Sequence, residues 1–142
     1  MSVRVVRLGS PRVPGEGLRL GTVRRPPRGV AKADFARLDY YDLWLPTLAP
    51  SAALLAASRA AGSVAADWPR FARHYLAEMR RADAAHLLDL LAALSLRTDF
   101  SIGCYCADEN HCHRSLLARL LRERGALFAT PAPGEAGRAV DG

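Results

Sequence analysis

At 142 residues the chain is long enough to bury about two-thirds of its unfolded surface around one core, expected as a single domain over residues 1–130. Half of the residues are apolar and 24% are charged, the balance of a water-soluble globular protein. No apolar run approaches the ~20 residues of a membrane span, which excludes a transmembrane helix, and no membrane partner is expected. The opening stretch MSVRVVRLGSPRVPGEG has neither the apolar core nor the small-residue cleavage site of a signal peptide, so a cytoplasmic location is expected.

The net charge of +6 is unevenly placed. Arg4, Arg7, Arg12, Arg19, Arg24, Arg25, Arg28 and Lys32 stand against Glu16 alone in the first 32 positions. A basic segment of this kind can face phosphate, and nucleic-acid binding is its strongest form. No aromatic residue interleaves with these cations, so a basic nucleic-acid-binding accessory role ranks behind two other readings given below.

Val3 to Leu8, with β-branched Val3, Val5 and Val6, predicts a first strand, stopped by Gly9-Ser10-Pro11. Leu18 to Val23 predicts a second, in which Leu18, Leu20 and Thr22 alternate with Arg19 and Gly21; Pro26, Pro27 and Gly29 end it. Asp34 suits the start of a short helical turn, and Tyr40 to Leu45 looks extended. Ser51 is a good cap for a helix over Ala52 to Ala60, closed by Gly62. Asp67 and Pro69 open another, along which Trp68, Phe71, Tyr75 and Met79 form one apolar stripe. Asp83 opens a third, with Leu87, Leu90, Leu91 and Leu94 as its inner face. Phe100 to Cys106 reads as a buried strand. Leu116, Leu117, Leu120 and Leu121 define a last helix ending at Gly125. Ala126 to Thr130 suggests a short edge strand, and residues 131–142 a disordered tail. Strands, then helices, then a strand and a helix predict an α/β fold: a small, mostly parallel sheet with helices packed on it, as a three-layer or Rossmann-like sandwich.

The chemistry concentrates in Cys104-Tyr105-Cys106-Ala107-Asp108-Glu109-Asn110-His111-Cys112-His113-Arg114. This segment follows the carboxyl end of a predicted strand, where open α/β sheets bind ligands. All three cysteines of the chain lie within it, a spacing that staples nothing and so predicts free thiols. Cys104 and Cys106, two apart on an extended segment, are expected on one face. One reading is a metal site, zinc or iron, held by Cys104, Cys106, Cys112 and His111 or His113; the same thiols would serve a redox sensor. The spacing matches no standard zinc knuckle or ribbon. A second reading is a thiol and anion site at a helix start. Cys112 is nucleophile or ligand there, His113 or His111 a general base, and Arg114 the holder of a phosphate or carboxylate. The phosphatase arrangement of cysteine, five residues and arginine fails, because the sixth position is Cys112 from Cys106 and Ala118 from Cys112. The bland alternative makes Cys104 and Cys106 small core residues.

Several stretches resemble the YeaO-like family of uncharacterised bacterial proteins, a domain-of-unknown-function group. They are Gly17 to Leu20 with Arg24 to Val30, Leu48 to Ser51, Trp68 with Phe71, Tyr75, Glu78 and Met79, and Cys104 to Arg114. The resemblance implies a small α/β sandwich and a cytoplasmic protein, and it suggests that Arg24, Arg25, Asp42 and Trp44 line the same cleft as the cysteine loop. The leading expectation is a cleft between residues 104–114 and the basic turn at 24–28, with Asp108 and Glu109 on its rim. It binds a small anionic ligand, a nucleotide or phosphorylated metabolite, and acts on it through Cys112 and His113.

Overall fold

The computed structural model describes residues 1–129, and the tail expected over 131–142 lies outside them. Four strands form one sheet: β1 (Val3–Arg7), β2 (Leu18–Gly21), β3 (Leu43–Trp44) and β4 (Phe100–Cys104), in the order β1-β4-β2-β3, with every pairing parallel. β4 is a central strand and is buried along its whole length, as its run of small and apolar residues requires. Phe128 adds one parallel bridge to Val3 beside β1, which is all that the expected edge strand amounts to among the described residues.

Four helices complete the α/β sandwich: α1 (Ala52–Ala60), α2 (Trp68–Glu78), α3 (Ala82–Leu94) and α4 (His113–Glu123). The Ser51 hydroxyl accepts from the Leu54 N–H at 3.1 Å and caps α1, satisfying one otherwise orphaned donor. Leu54, Phe71, Tyr75, Leu88, Leu117 and Leu121 from the four helices share one core with Val3, Leu20, Phe100 and Ile102. The register pairs Val3 with Phe100 and Leu20 with Ile102, so these side chains project from one face of the sheet. The helices therefore gather on that face. No helix among the described residues is long and apolar enough to cross a membrane.

The other face is covered by irregular chain. The Tyr41 ring lies on Gly21, and Leu8 lies on Gly103, where an added Cβ would stand 2.6 Å from Leu8 Cδ2. This covering corrects the expected alternation in β2. Leu18 is 54% exposed, whereas Arg19 is wholly buried. The Arg19 guanidinium pairs with Glu16 through Nε to Oε2 at 3.1 Å and Nη2 to Oε1 at 2.9 Å, and donates from Nη1 to the carbonyls of Ser10 and Asp39.

Two helix expectations also change. Asp67 precedes α2, but its carboxylate is taken by Ser58 Oγ and Arg70 and caps no helix N–H. The buried stripe of α3 is Ala84, Leu88, Leu91 and Ala92, leaving Leu90 and Leu94 outward. Alanine supplies part of the 3.6-residue stripe there, so counting leucines alone misplaces the face.

Removing the acid under Arg19 leaves a buried charge without its counter-ion, a loss of about 3–5 kcal/mol. Glu16→Ala is expected to show it in urea denaturation, and Glu16→Ala with Arg19→Met to recover part of it. A Glu16→Ala loss below about 1 kcal/mol would contradict this role for the pair.

Candidate functional site

β4 ends at Cys104, and the chain turns away from the sheet before Cys106. Asp108 then starts a single 3-10 turn over Glu109–His111, accepting from the Asn110 N–H at 3.0 Å, and Cys112 immediately precedes α4. Cys104 and Cys106 thus do not share one strand, yet the loop returns all three thiols to one place. The sulfurs of Cys104, Cys106 and Cys112 lie within 4.8 Å of one another. Cys104 and Cys112 are buried and Cys106 is exposed. The Cys104 and Cys112 sulfurs are in bonding contact, on Cα atoms 7.9 Å apart, so of the three thiols expected to be free only Cys106 stands free. A disulfide normally spans Cα atoms about 4.4–6.8 Å apart, so this backbone presents the sulfurs to each other from a wider separation.

His113 is buried against these thiols. Its Nε2 stands 2.5 Å from the Thr22 carbonyl and Nδ1 3.7 Å from Cys112 Sγ. A carbonyl can only accept, so the proton sits on Nε2, and Nδ1 offers a lone pair to the Cys112 thiol. Burial lowers the His113 pKa to about 4, against the support of its bond to Thr22 and with further opposition from Arg114. The ring is a neutral imidazole at neutral pH. The Tyr75 ring meets it edge-on at 5.5 Å, and the Tyr75 hydroxyl donates to Leu48 O at 2.7 Å.

Arg114, on the first turn of α4, is 3% exposed. Its Nη2 donates to the Cys106 carbonyl at 2.7 Å, while Nε has no hydrogen-bond partner. Desolvation lowers its pKa, and Glu109 and Cys106 act in the opposite sense. For Cys106 the order is similar: desolvation raises the thiol pKa, and the charges of Arg114 and Arg7 pull it down.

Above the thiols opens a cavity of about 500 Å³. Cys104, Cys106, Cys112 and His113 form its floor, Val23, Pro26, Pro27, Leu55, Val64 and Phe71 line its apolar walls, and Arg24, Arg25, Arg28 and Arg59 stand around it. The lining contains no carboxylate. The Tyr105 hydroxyl donates to Arg25 O at 2.9 Å, joining the cysteine loop to the basic turn.

A family model described as the active DUF488-N3 subclade matches residues 3–125. The chain belongs to this family. DUF488 is a domain of unknown function that includes YeaO, so the kinship expected from the short matched stretches is shown. No curated protein and no solved structure matches the chain.

Within this DUF488 fold the residues singled out in the sequence separate into groups. Cys104, Cys106, Cys112, His113, Arg24 and Arg25 meet at the cleft. Arg24, however, is occupied with the carbonyls of Pro46, Ala49 and Pro50. Arg114 lies under the loop, outside the cleft lining. His111 falls outside the sulfur cluster; its Nδ1 pairs with Asp108 Oδ2 at 2.6 Å and its ring meets Trp68 edge-on. Glu109 is exposed on the same turn. Asp42 and Trp44 are not in the cleft lining: Asp42 holds Arg12 and the Arg19 N–H, and Trp44 Nε1 donates to Val23 O at 2.7 Å. Both belong to β3 and its approach, which are displaced from β4 by the width of β2. Arg28 continues the basic turn, whereas Arg59, in the last turn of α1, carries no local signal in the sequence, because only the packing of α1 brings it to the cleft.

The His113 ring makes stability depend on pH. Unfolded, it takes up its proton near 6.5, and folded only near 4. The unfolded state therefore binds more protons in this window, and the contribution is complete above 6.5 and lost as pH falls through 4, by about 3 kcal/mol. Denaturant titrations from pH 7 to 4, with chelator present, should show a steeper loss for the native chain than for His113→Gln. Equal slopes would rule out a buried neutral ring.

Proposed function

We propose that this DUF488 protein binds a small anionic ligand, a nucleotide or phosphorylated metabolite, in the cleft between the cysteine loop and the basic turn. The observation that carries the reading is the lining itself, with four arginines around it and no carboxylate. Arg25, Arg28 and Arg59 make no side-chain hydrogen bond or ion pair among the described residues and are exposed, so their donors are available to phosphate oxygens. The apolar walls beneath them suit a flat or hydrocarbon group on the same ligand. In a cytoplasmic setting the reducing poise would keep Cys104 and Cys112, which touch here, as thiols beside the free Cys106.

Thiol chemistry on that ligand is the finer part of the proposal, and the approach of His113 Nδ1 to Cys112 Sγ at 3.7 Å on the cleft floor supports it. Cys112 is the candidate acting group, with His113 accepting its S–H at Nδ1. Moving that proton onto the ring creates a buried cation beside Arg114, which the low His113 pKa disfavours. His113 therefore orients the Cys112 thiol more readily than it deprotonates it.

Titration calorimetry with inorganic phosphate and with adenosine diphosphate tests the binding. Arg25→Ala with Arg28→Ala, and Arg59→Ala alone, are expected to weaken it by about 10-fold or more per arginine, since each removes a charge-assisted hydrogen bond. Because these side chains are exposed, the thermal midpoint should hardly move. Unchanged affinity in both variants would sink the proposal. Binding that instead requires an oligonucleotide, and weakens steeply with salt, would favour a nucleic-acid partner.

A further inference from the structure

We propose that Cys104, Cys106 and Cys112 hold one divalent thiophilic ion of the zinc class, and that its fourth position opens into the arginine-lined cleft. The inference rests on the anion-binding reading for its second half only. Two ligands at about 2.3 Å from a tetrahedral zinc stand about 3.8 Å apart; the three sulfurs lie within 4.8 Å of one another, and in the reduced protein Cys104 and Cys112, which touch here, separate to that spacing around the ion. The 7.9 Å between the Cα atoms of Cys104 and Cys112 exceeds the reach of a disulfide but not of two thiolates sharing an ion. His111 is turned to Asp108 and Trp68, and although His113 Nδ1 stands 3.7 Å from Cys112 Sγ, only the three sulfurs lie mutually within 4.8 Å, so they form the set. Three protein ligands with one position left open is the arrangement of a catalytic rather than a structural zinc.

Arg114 is the independent observation. It is a buried cation with an unpartnered Nε and no ion pair among the described residues. A buried charge of this kind calls for an opposite one nearby. When zinc(II) binds, three S–H bonds break, three Zn–S bonds form, and three protons leave to solvent with no change of oxidation state. The resulting centre carries one net negative charge, next to the loop that Arg114 holds at the Cys106 carbonyl and Arg7 at the Tyr105 carbonyl. A phosphate or carboxylate oxygen arriving between the arginines then reaches the open position.

The test uses the reduced full-length protein. Zinc is titrated against a chromophoric chelator, and cobalt(II) is substituted to read sulfur-to-metal charge transfer. One ion per chain is expected. Cys106→Ser, at an exposed position that leaves the core intact, should weaken binding by more than the ~100-fold that outer-shell changes produce, and should lose part of the charge-transfer intensity. Arg25→Ala with Arg28→Ala should leave zinc affinity within a few-fold of the native value. Phosphate should shift the cobalt ligand-field bands of the native protein. Absence of stoichiometric binding by folded, reduced protein, or an unaltered affinity in Cys106→Ser, would overturn the metal site. If metal fails while calorimetry still shows phosphate bound, the anion cleft stands without it. If metal binds and phosphate leaves the cobalt spectrum untouched, the open position is overturned.

Discussion

The buried guanidinium of Arg19 ties together parts of the chain that have no regular structure of their own. Within one side chain's reach it gathers Glu16, Ser10 O and Asp39 O, while its backbone N–H is held by Asp42. These contacts fix the loop before β2 and the segment before β3 across the face of the sheet that has no helix. A charged group so placed is stable only while every partner stays in position, so the arrangement specifies a geometry as much as it stabilises one. With β2 held between covered faces, its carboxyl end delivers Thr22 to His113 and sends the basic turn over the cleft.

Much of this fold was legible in the sequence because its signals are local. The β-branched run at Val3, the cap at Ser51, the aromatic stripe from Trp68 to Met79 and the leucines of α4 each declare an element with its inner face. The parallel sheet followed from the order of those elements. The failures have a common cause in tertiary context. Arg19 looks like an outward residue of a half-exposed strand, and only a covered second face makes it a core residue. Leu90 and Leu94 look like core until Ala84 and Ala92 are counted with Leu88 and Leu91. Period alone does not say which stripe wins.

For the site, the location was legible and the division of labour was not. Seven polar or reactive side chains in a short loop after a strand end marked the place. Which of them face inward depends on the 3-10 turn at Glu109–His111, which turns His111 outward and brings Cys112 back to Cys104. Arg114 next to the cysteines looked like the anion's contact, but the first turn of α4 carries it beneath the loop. The arginines that border the cleft instead come from the turn after β2 and from α1. The site therefore combines a floor built at a strand end, where parallel sheets present their loops, with a rim assembled from elsewhere in the chain.

The aromatic row along α2 has an optical consequence. Trp68 stacks on Phe71 at 5.7 Å between ring centroids, and Phe71 on Tyr75 at 6.1 Å, while the indole also meets His111 edge-on at 5.5 Å. His111 sits on the turn that leads from Cys106 back to Cys112, so any shift of that turn changes what touches the indole. The second tryptophan, Trp44, is bonded to Val23 O on the far edge of the sheet and does not share this surrounding. Emission from Trp68 thus reports on the conformation of the cysteine loop, and the protein carries its own fluorophore for watching that loop respond.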